Sequence, residues 1–177
     1  MCFTIVSVVA QEEKEVQTTK NELKLNTIPT LLGFFDVSYE RLLSDDQGLG
    51  TTLAFSLGAN DFYNFMLTPY YRFYFGEKRA AGFFMEANAS VFSEKVYDYG
   101  YDYFDSDLDE YVYVEGEGGL NKLGAGLGLA VGGKFLSKNG WVAEIYAGFG
   151  RNFINHDDDY YISEMYPRWG VTLGKRF

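Results

Sequence analysis

Cysteine, histidine and proline are scarce in this sequence: one Cys, one His and three Pro. A lone cysteine excludes an internal disulfide and argues against a cysteine-based zinc site. A single histidine leaves one candidate base for nucleophilic catalysis. Long apolar runs are missing too. Hydrophobic residues make up 47% of the chain, yet no stretch approaches the ~18 consecutive apolar residues of a membrane-crossing helix. What the chain has in quantity is aromatics and glycine: 15 Tyr, 16 Phe and 20 Gly in 177 residues. Arranged in short alternating segments, that composition points to a single all-β domain.

Residues 1–10 (MCFTIVSVVA) are uncharged and mostly apolar. Val8-Val9-Ala10 before Gln11 resembles a signal-peptidase site. Residues 1–10 are therefore read as a signal-peptide remnant whose basic start lies upstream, and cleavage would remove Cys2. A first β-strand is the alternative for this stretch. Residues 11–20 read as a polar, flexible leader, and 21–177 as the folded barrel.

Eight strands are predicted, at about 22–30, 34–43, 51–58, 65–75, 82–93, 120–136, 141–151 and 166–177. Each alternates with period two, one face apolar and bulky, the other small or polar. In the fourth, Phe65, Leu67, Tyr71, Phe73 and Phe75 oppose Thr68, Tyr70, Arg72 and Tyr74. Pro69 cannot donate to a ladder, so a bulge or local unpairing is expected there. In the last, Trp169, Val171, Leu173 and Phe177 oppose Arg168, Gly170, Thr172, Gly174 and Arg176. This strand, from Trp169 to Phe177, is expected to pair with the first and close the barrel. The fold class is an all-β, eight-stranded antiparallel up-and-down transmembrane β-barrel.

A soluble, lipocalin-like barrel packs its apolar face inside; a membrane barrel inverts this. Three patterns favour inversion. The bulky face carries Phe35, Phe55, Phe73, Phe83, Trp141 and Phe149, whereas the narrow interior of eight strands suits Gly124, Gly126, Gly128, Gly148 and Gly150. Charges on the other face balance, Lys24, Arg72, Lys122 and Arg168 against Asp36, Glu40, Glu86 and Glu144, as a sealed low-dielectric interior demands. The connections at 44–50, 76–81 and 137–140 are short, as periplasmic turns are. The expectation is a monomer in the outer membrane, both termini periplasmic and the longer loops extracellular. Its partners would be outer-membrane lipid, lipopolysaccharide and the barrel-assembly machinery. A soluble ligand-binding barrel is an alternative.

Three segments and a final Phe carry a family resemblance: Lys20-Asn21-Glu22-Leu23-Lys24-Leu25-Asn26, Val37-Ser38-Tyr39-Glu40-Arg41 and Pro69-Tyr70-Tyr71-Arg72-Phe73-Tyr74-Phe75. Over most of 20–177 the chain resembles small outer-membrane barrels of Bacteroidetes-type bacteria, of the OmpX/OmpA type. The resemblance implies an eight-stranded barrel and brings no catalytic residues.

The stretch at about 94–118 is the most unusual. Tyr97, Tyr99, Tyr101 and Tyr103 alternate with Asp98, Gly100 and Asp102, and Tyr111 and Tyr113 with Val112 and Val114. That reads as two strands continuing past the membrane as a hairpin, with 105–109 at its tip. The stretch holds nine acidic residues and one Lys, and 152–165 adds four net negative charges, so the chain's −10 belongs to these loops. Tyrosine is a low-entropy contact residue and a protruding hairpin offers edges for strand addition. An adhesion-like surface for an extracellular protein or other surface ligand is the functional reading; a solvated acidic loop is the plain one.

Asp105, Asp107 and Asp109 have the alternate spacing of a Ca²⁺ loop, but Glu110 stands where the turn glycine is needed. No cofactor is expected beyond a loosely bound divalent cation. The acidic exterior argues against nucleic acid. A lipid-A esterase would need His near Ser, and His156 with Ser163 is the one pair on offer. The interior Glu/Arg set reads as structural pairing, and a filled interior leaves no general pore. The sequence thus predicts a non-enzymatic structural or surface-binding barrel, with a lipid-A-modifying enzyme as the alternative.

Overall fold

The computed structural model describes residues 19–58, 63–98, 101–105, 110–114, 118–154 and 163–177. The signal-peptide remnant, nearly all of the leader, Tyr99, Asp107, Asp109 and His156 lie outside the described residues. In chain order the elements are β1 (Asn21–Asn26), α1 (Thr27–Leu31), β2 (Phe34–Leu42), β3 (Gln47–Ser56), β4 (Tyr63–Tyr74), β5 (Gly82–Asp98), β6 (Tyr101–Asp105), β7 (Glu110–Val114), β8 (Gly118–Leu136), β9 (Trp141–Asn152) and β10 (Met165–Arg176). Eight of the strands close into one antiparallel barrel, with β10 back on β1; β6 and β7 pair separately as a two-stranded sheet.

The stagger of the barrel follows from its registers. Ladder partners run from Glu22 through Glu40, Gly50, Tyr70, Asn88, Gly128 and Gly150 to Tyr166. In the register that sets Glu22 against Arg176, Tyr166 falls opposite position 32, ten residues beyond the start. With a rise of about 3.3 Å and a strand spacing of about 4.8 Å, that stagger tilts the strands by roughly 40°. The interior is then just wide enough to be filled by side chains.

The two faces sort as period two requires. Leu53, Phe55, Leu67, Phe73, Phe83, Leu129, Ile145, Phe149, Trp169 and Leu173 point outward and are exposed, Leu129 to 67%. Their parity partners Thr52, Ala54, Thr68, Tyr70, Arg72, Phe84, Glu86, Ala130, Glu144, Tyr146, Arg168 and Thr172 are buried inside. Along β9 the outward series is Trp141, Ala143, Ile145, Ala147 and Phe149, aromatic at both ends and aliphatic between. On β10 it runs from Trp169 through Val171 and Leu173 to Phe177 just past the strand. An apolar face turned outward around a polar interior is the distribution of a membrane barrel, and the reverse of a lipocalin's.

Two local departures are informative. The first strand was expected over 22–30, but β1 ends at Asn26 and 27–31 wind into α1. Pro29 explains the change. It would leave a hole in a β-ladder, yet it is tolerated in the first helical turn, where N–H groups have no intrahelical partner. In β4, Leu67 pairs with Val91 and Tyr70 with Asn88 in one unbroken register, while Thr68 and Pro69 have no partner in that ladder. This is the local unpairing expected at Pro69, without a bulge; the register shift lies between Tyr63 and Phe65.

The connections 43–46, 75–81 and 137–140 lie at the end of the barrel that also holds Asn21 and Phe177. There Arg176 donates to the carbonyls of Arg79 (3.0 Å) and Ala80 (2.9 Å), so the 75–81 turn folds under the barrel. Leu42, Tyr74, Ala80, Phe84 and Tyr146 form a small apolar cluster. α1 and the β6–β7 hairpin lie at the opposite end.

Candidate functional site

The barrel interior carries a network of ion pairs. Its centre is Glu40, which accepts from Lys24 Nζ (2.5 Å), Lys134 Nζ (3.2 Å), Arg72 (3.2 Å) and the Tyr74 hydroxyl. Glu144 accepts from Lys24 (2.8 Å), Arg72 (3.0 Å) and Thr172 (3.2 Å), with Lys134 3.1 Å away. Glu22 joins Lys134 (2.7 Å) to Arg176 (2.7 Å) toward the turn end. Glu86 joins Arg72 (2.8 Å) to Arg168 (2.9 Å) toward the loop end. Arg168 donates further to Tyr146 (3.2 Å) and Thr52 (3.1 Å). The Arg72 guanidinium also lies 4.2 Å from the Phe84 ring centre and 4.5 Å from that of Tyr70.

Five cations (Lys24, Arg72, Lys134, Arg168, Arg176) thus face four glutamates, with Asp36 as a fifth acid on the same inner face. Every one of these side chains is almost fully buried. Burial of so many charges is sustainable only when they are paired and hydrogen-bonded, which the five cations and four glutamates achieve with bonds from several strands at once; Asp36 is held by the Asn26 amide instead. Glu22, Glu40 and Glu144 bring carboxylate oxygens within 4.8 Å of one another. The Lys24 and Lys134 ammonium groups sit among them and supply the positive charge that a metal ion would otherwise bring.

Of the interior residues expected from sequence, Lys24, Glu40, Arg72, Glu86, Glu144 and Arg168 come together here. Lys122 does not. It has the right parity on β8, but it is only half-buried and lies opposite Glu94 near the loop end of the β5–β8 ladder. Lys134, at the other end of β8, takes the place in the network. Sequence reasoning also left out Glu22 and Arg176. Both had the inward parity, so alternation alone could have found them. What alternation cannot give is height along the barrel axis, and height separates Lys134 from Lys122.

The outer hairpin has a defined register. Tyr103 pairs with Val112, Phe104 with Tyr111 and Asp102 with Tyr113. The tyrosines are therefore divided: Tyr103 shares one face with Val112 and Val114, while Tyr111 and Tyr113 share the other with Phe104 and Asp102; Tyr101 stands in register with Val114. Tyr111 packs against Phe104 with ring centres 5.2 Å apart. Tyr103, Tyr111 and Tyr113 are exposed. Tyr97 lies on β5 opposite Gly119, and Asp105 ends β6 opposite Glu110. Of the expected closure residues, Trp169 lies outward on the closing strand and Phe177 is exposed just past its end, next to the inner Arg176 that stands opposite Glu22 of β1.

Over residues 1–172 the chain matches the family described as "Protein of unknown function (DUF3575)". It belongs to that family. No curated protein matches this DUF3575 chain. Among solved structures, it is similar to the N-terminal β-barrel domain of Pseudomonas aeruginosa OprF, with 12% identity and a TM-score of 0.51 over 90% of this chain and 98% of that one. At that identity the likeness is one of fold. It agrees with the closed eight-stranded antiparallel barrel and leaves function to the residues of the DUF3575 chain itself.

Proposed function

We propose that this DUF3575 protein is an integral outer-membrane barrel that conducts nothing through its interior and acts at the cell surface through the β6–β7 hairpin. The observation that carries the membrane part is the inverted distribution of side chains. Leu, Phe and Trp face outward on the strands around the barrel, while Lys, Arg and Glu fill the inside. In water such a belt would be a severe aggregation liability; in a bilayer it is the required surface. The interior network argues against a pore, because Arg72, Glu40 and Glu144 meet across the lumen.

The surface role rests on the hairpin. It stands apart from the barrel sheet, exposes Tyr103, Phe104, Tyr111 and Tyr113, and lies in the acidic stretch of the chain. Exposed aromatics on a two-stranded ribbon suit adhesion-like contact with an extracellular protein or surface ligand, and surplus carboxylates suit loose association with divalent cations around lipopolysaccharide. In this reading both termini are periplasmic, the chain works as a monomer without catalysis, and insertion uses the barrel-assembly machinery.

Labelling of a Tyr113→Cys variant on intact cells with a membrane-impermeant maleimide tests the orientation. Labelling before lysis is the expected result; labelling only after lysis would overturn the surface role.

A further inference from the structure

Where β1 gives way to α1, the barrel wall changes construction. β10 pairs with β1 only from Thr172 to Arg176, and β2 pairs with β1 only from Val37 to Arg41. Beyond that level no strand among the described residues lies between β10 and β2, and α1 packs against both. Asn26 caps the exposed edge of β10: its Oδ1 accepts from Val171 N (3.1 Å) and its Nδ2 donates to Trp169 O (3.2 Å). Phe177 and Asn21 exchange both backbone bonds, so every second residue back along β10 turns its N–H toward this side. The series reaches Pro167, which has no N–H to leave unpaired.

A cavity of about 260 Å³ lies at this seam. Pro29 of α1, Leu32 just past its end, Phe34, Ala54, Met66 and Trp169 give it apolar walls. Asp36 lines it as well, 7% exposed. One carboxylate oxygen of Asp36 accepts from Asn26 Nδ2 at 2.8 Å, and the other has no hydrogen-bond partner. Tyr63 lines the cavity too. Thr68 is engaged with Ser90 (2.8 Å), Thr52 with Ser38 (2.9 Å), and Arg168 with Glu86, Tyr146 and Thr52. An unpaired buried acceptor is costly, and a ligand that donates to it recovers that cost.

We propose that this seam cavity binds a single-chain amphiphile whose head group is a hydrogen-bond donor, a hydroxyl in the simplest case, with its O–H on the free Asp36 oxygen and its hydrocarbon chain against α1, Met66 and Trp169. A carboxylate or phosphate head is disfavoured by the Asp36 charge, and Arg168 is already committed to other acceptors. The inference deepens the membrane reading, since the bilayer is the source of such chains and the missing strand is where one enters.

The test uses the full chain with Trp141→Phe, so that Trp169 is the sole tryptophan, folded into phosphatidylcholine vesicles. 12-Bromo-1-dodecanol is titrated against its methyl ether, bromine quenching Trp169 on contact. Saturable quenching by the alcohol, reversed by unbrominated 1-dodecanol and at least tenfold stronger than by the ether, is expected. Ala54→Phe, which fills the cavity, should abolish saturation. Asp36→Asn turns an amide toward the cavity and should erase the preference for alcohol over ether. Linear, non-saturable quenching equal for both probes, or saturation unchanged by both substitutions, would overturn the proposal. Heat-modifiable gel mobility in the same sample separates this result from failure of the membrane reading: a barrel that inserts yet shows only partitioning sinks the cavity alone.

Discussion

Glu40 shows how little freedom a single interior position has. Its carboxylate holds Lys24, Lys134 and Arg72 together. Replacing it with Gln keeps the shape and removes the charge, leaving three buried cations with one fewer counter-ion. Breaking one partner of a buried ion network typically costs about 3–5 kcal/mol. Urea unfolding of Glu40→Gln in lipid vesicles is expected to show a loss of that order, whereas Asp45→Asn, at an exposed turn carboxylate paired with Arg79, is expected to unfold like the parent. Equal midpoints for the two variants would mean the network is dispensable. Gly170 and Gly150 are among the positions where the packing leaves room for glycine alone. A methyl on Gly170 would collide with the Asn26 amide, and one on Gly150 with the Tyr166 ring. Gly170→Ala should therefore disturb the same seam as Asn26→Ala, each lowering stability by about 1–3 kcal/mol through unpaired backbone groups on β10. Paired with each other they should be clearly less than additive, which a double-mutant cycle reads directly.

Among the elements, the strands were the legible part of the sequence and α1 was not. Alternation placed β4, β5, β8, β9 and β10 within a residue or two at most ends and assigned their faces, because a filled lumen and an apolar exterior leave a period-two pattern few ways to sit. It failed at 27–31, where the apparent strand contains Pro29 and the chain bends into a short helix. It failed again in choosing Lys122 over Lys134, since parity fixes the side of the wall but not the depth. The division of the hairpin tyrosines between two faces depends on the β6–β7 register, which no single-strand pattern contains. Among the described residues β6 and β7 pair with each other and with no barrel strand, while β5 and β8 hold a continuous ladder from Gly82–Lys134 to Asp98–Gly118. Excising 99–117 and joining β5 to β8 with a short glycine-rich turn should leave heat-modifiable mobility intact while weakening any surface binding. Loss of the folded form would show that the hairpin belongs to the barrel's own stability.

For the whole molecule, the network and the belt make one account: charges are satisfied inward so that the outside can be apolar. A filled lumen predicts that the protein reconstituted in planar bilayers gives no stable single-channel currents. Steady unitary conductance would require an open path past Arg72, Glu40 and Glu144. The most direct measurement of the central claim is the environment of the two faces on a single strand. Spin labels placed one at a time at Leu129 and Ala130, in a chain whose Cys2 has been replaced by Ser, can be compared in lipid vesicles for accessibility to oxygen and to a water-soluble nickel chelate. The account predicts a label at Leu129 that is highly accessible to oxygen and shielded from nickel, and one at Ala130 that is immobilised and shielded from both. Nickel access at Leu129 equal to that of a water-exposed site would contradict it.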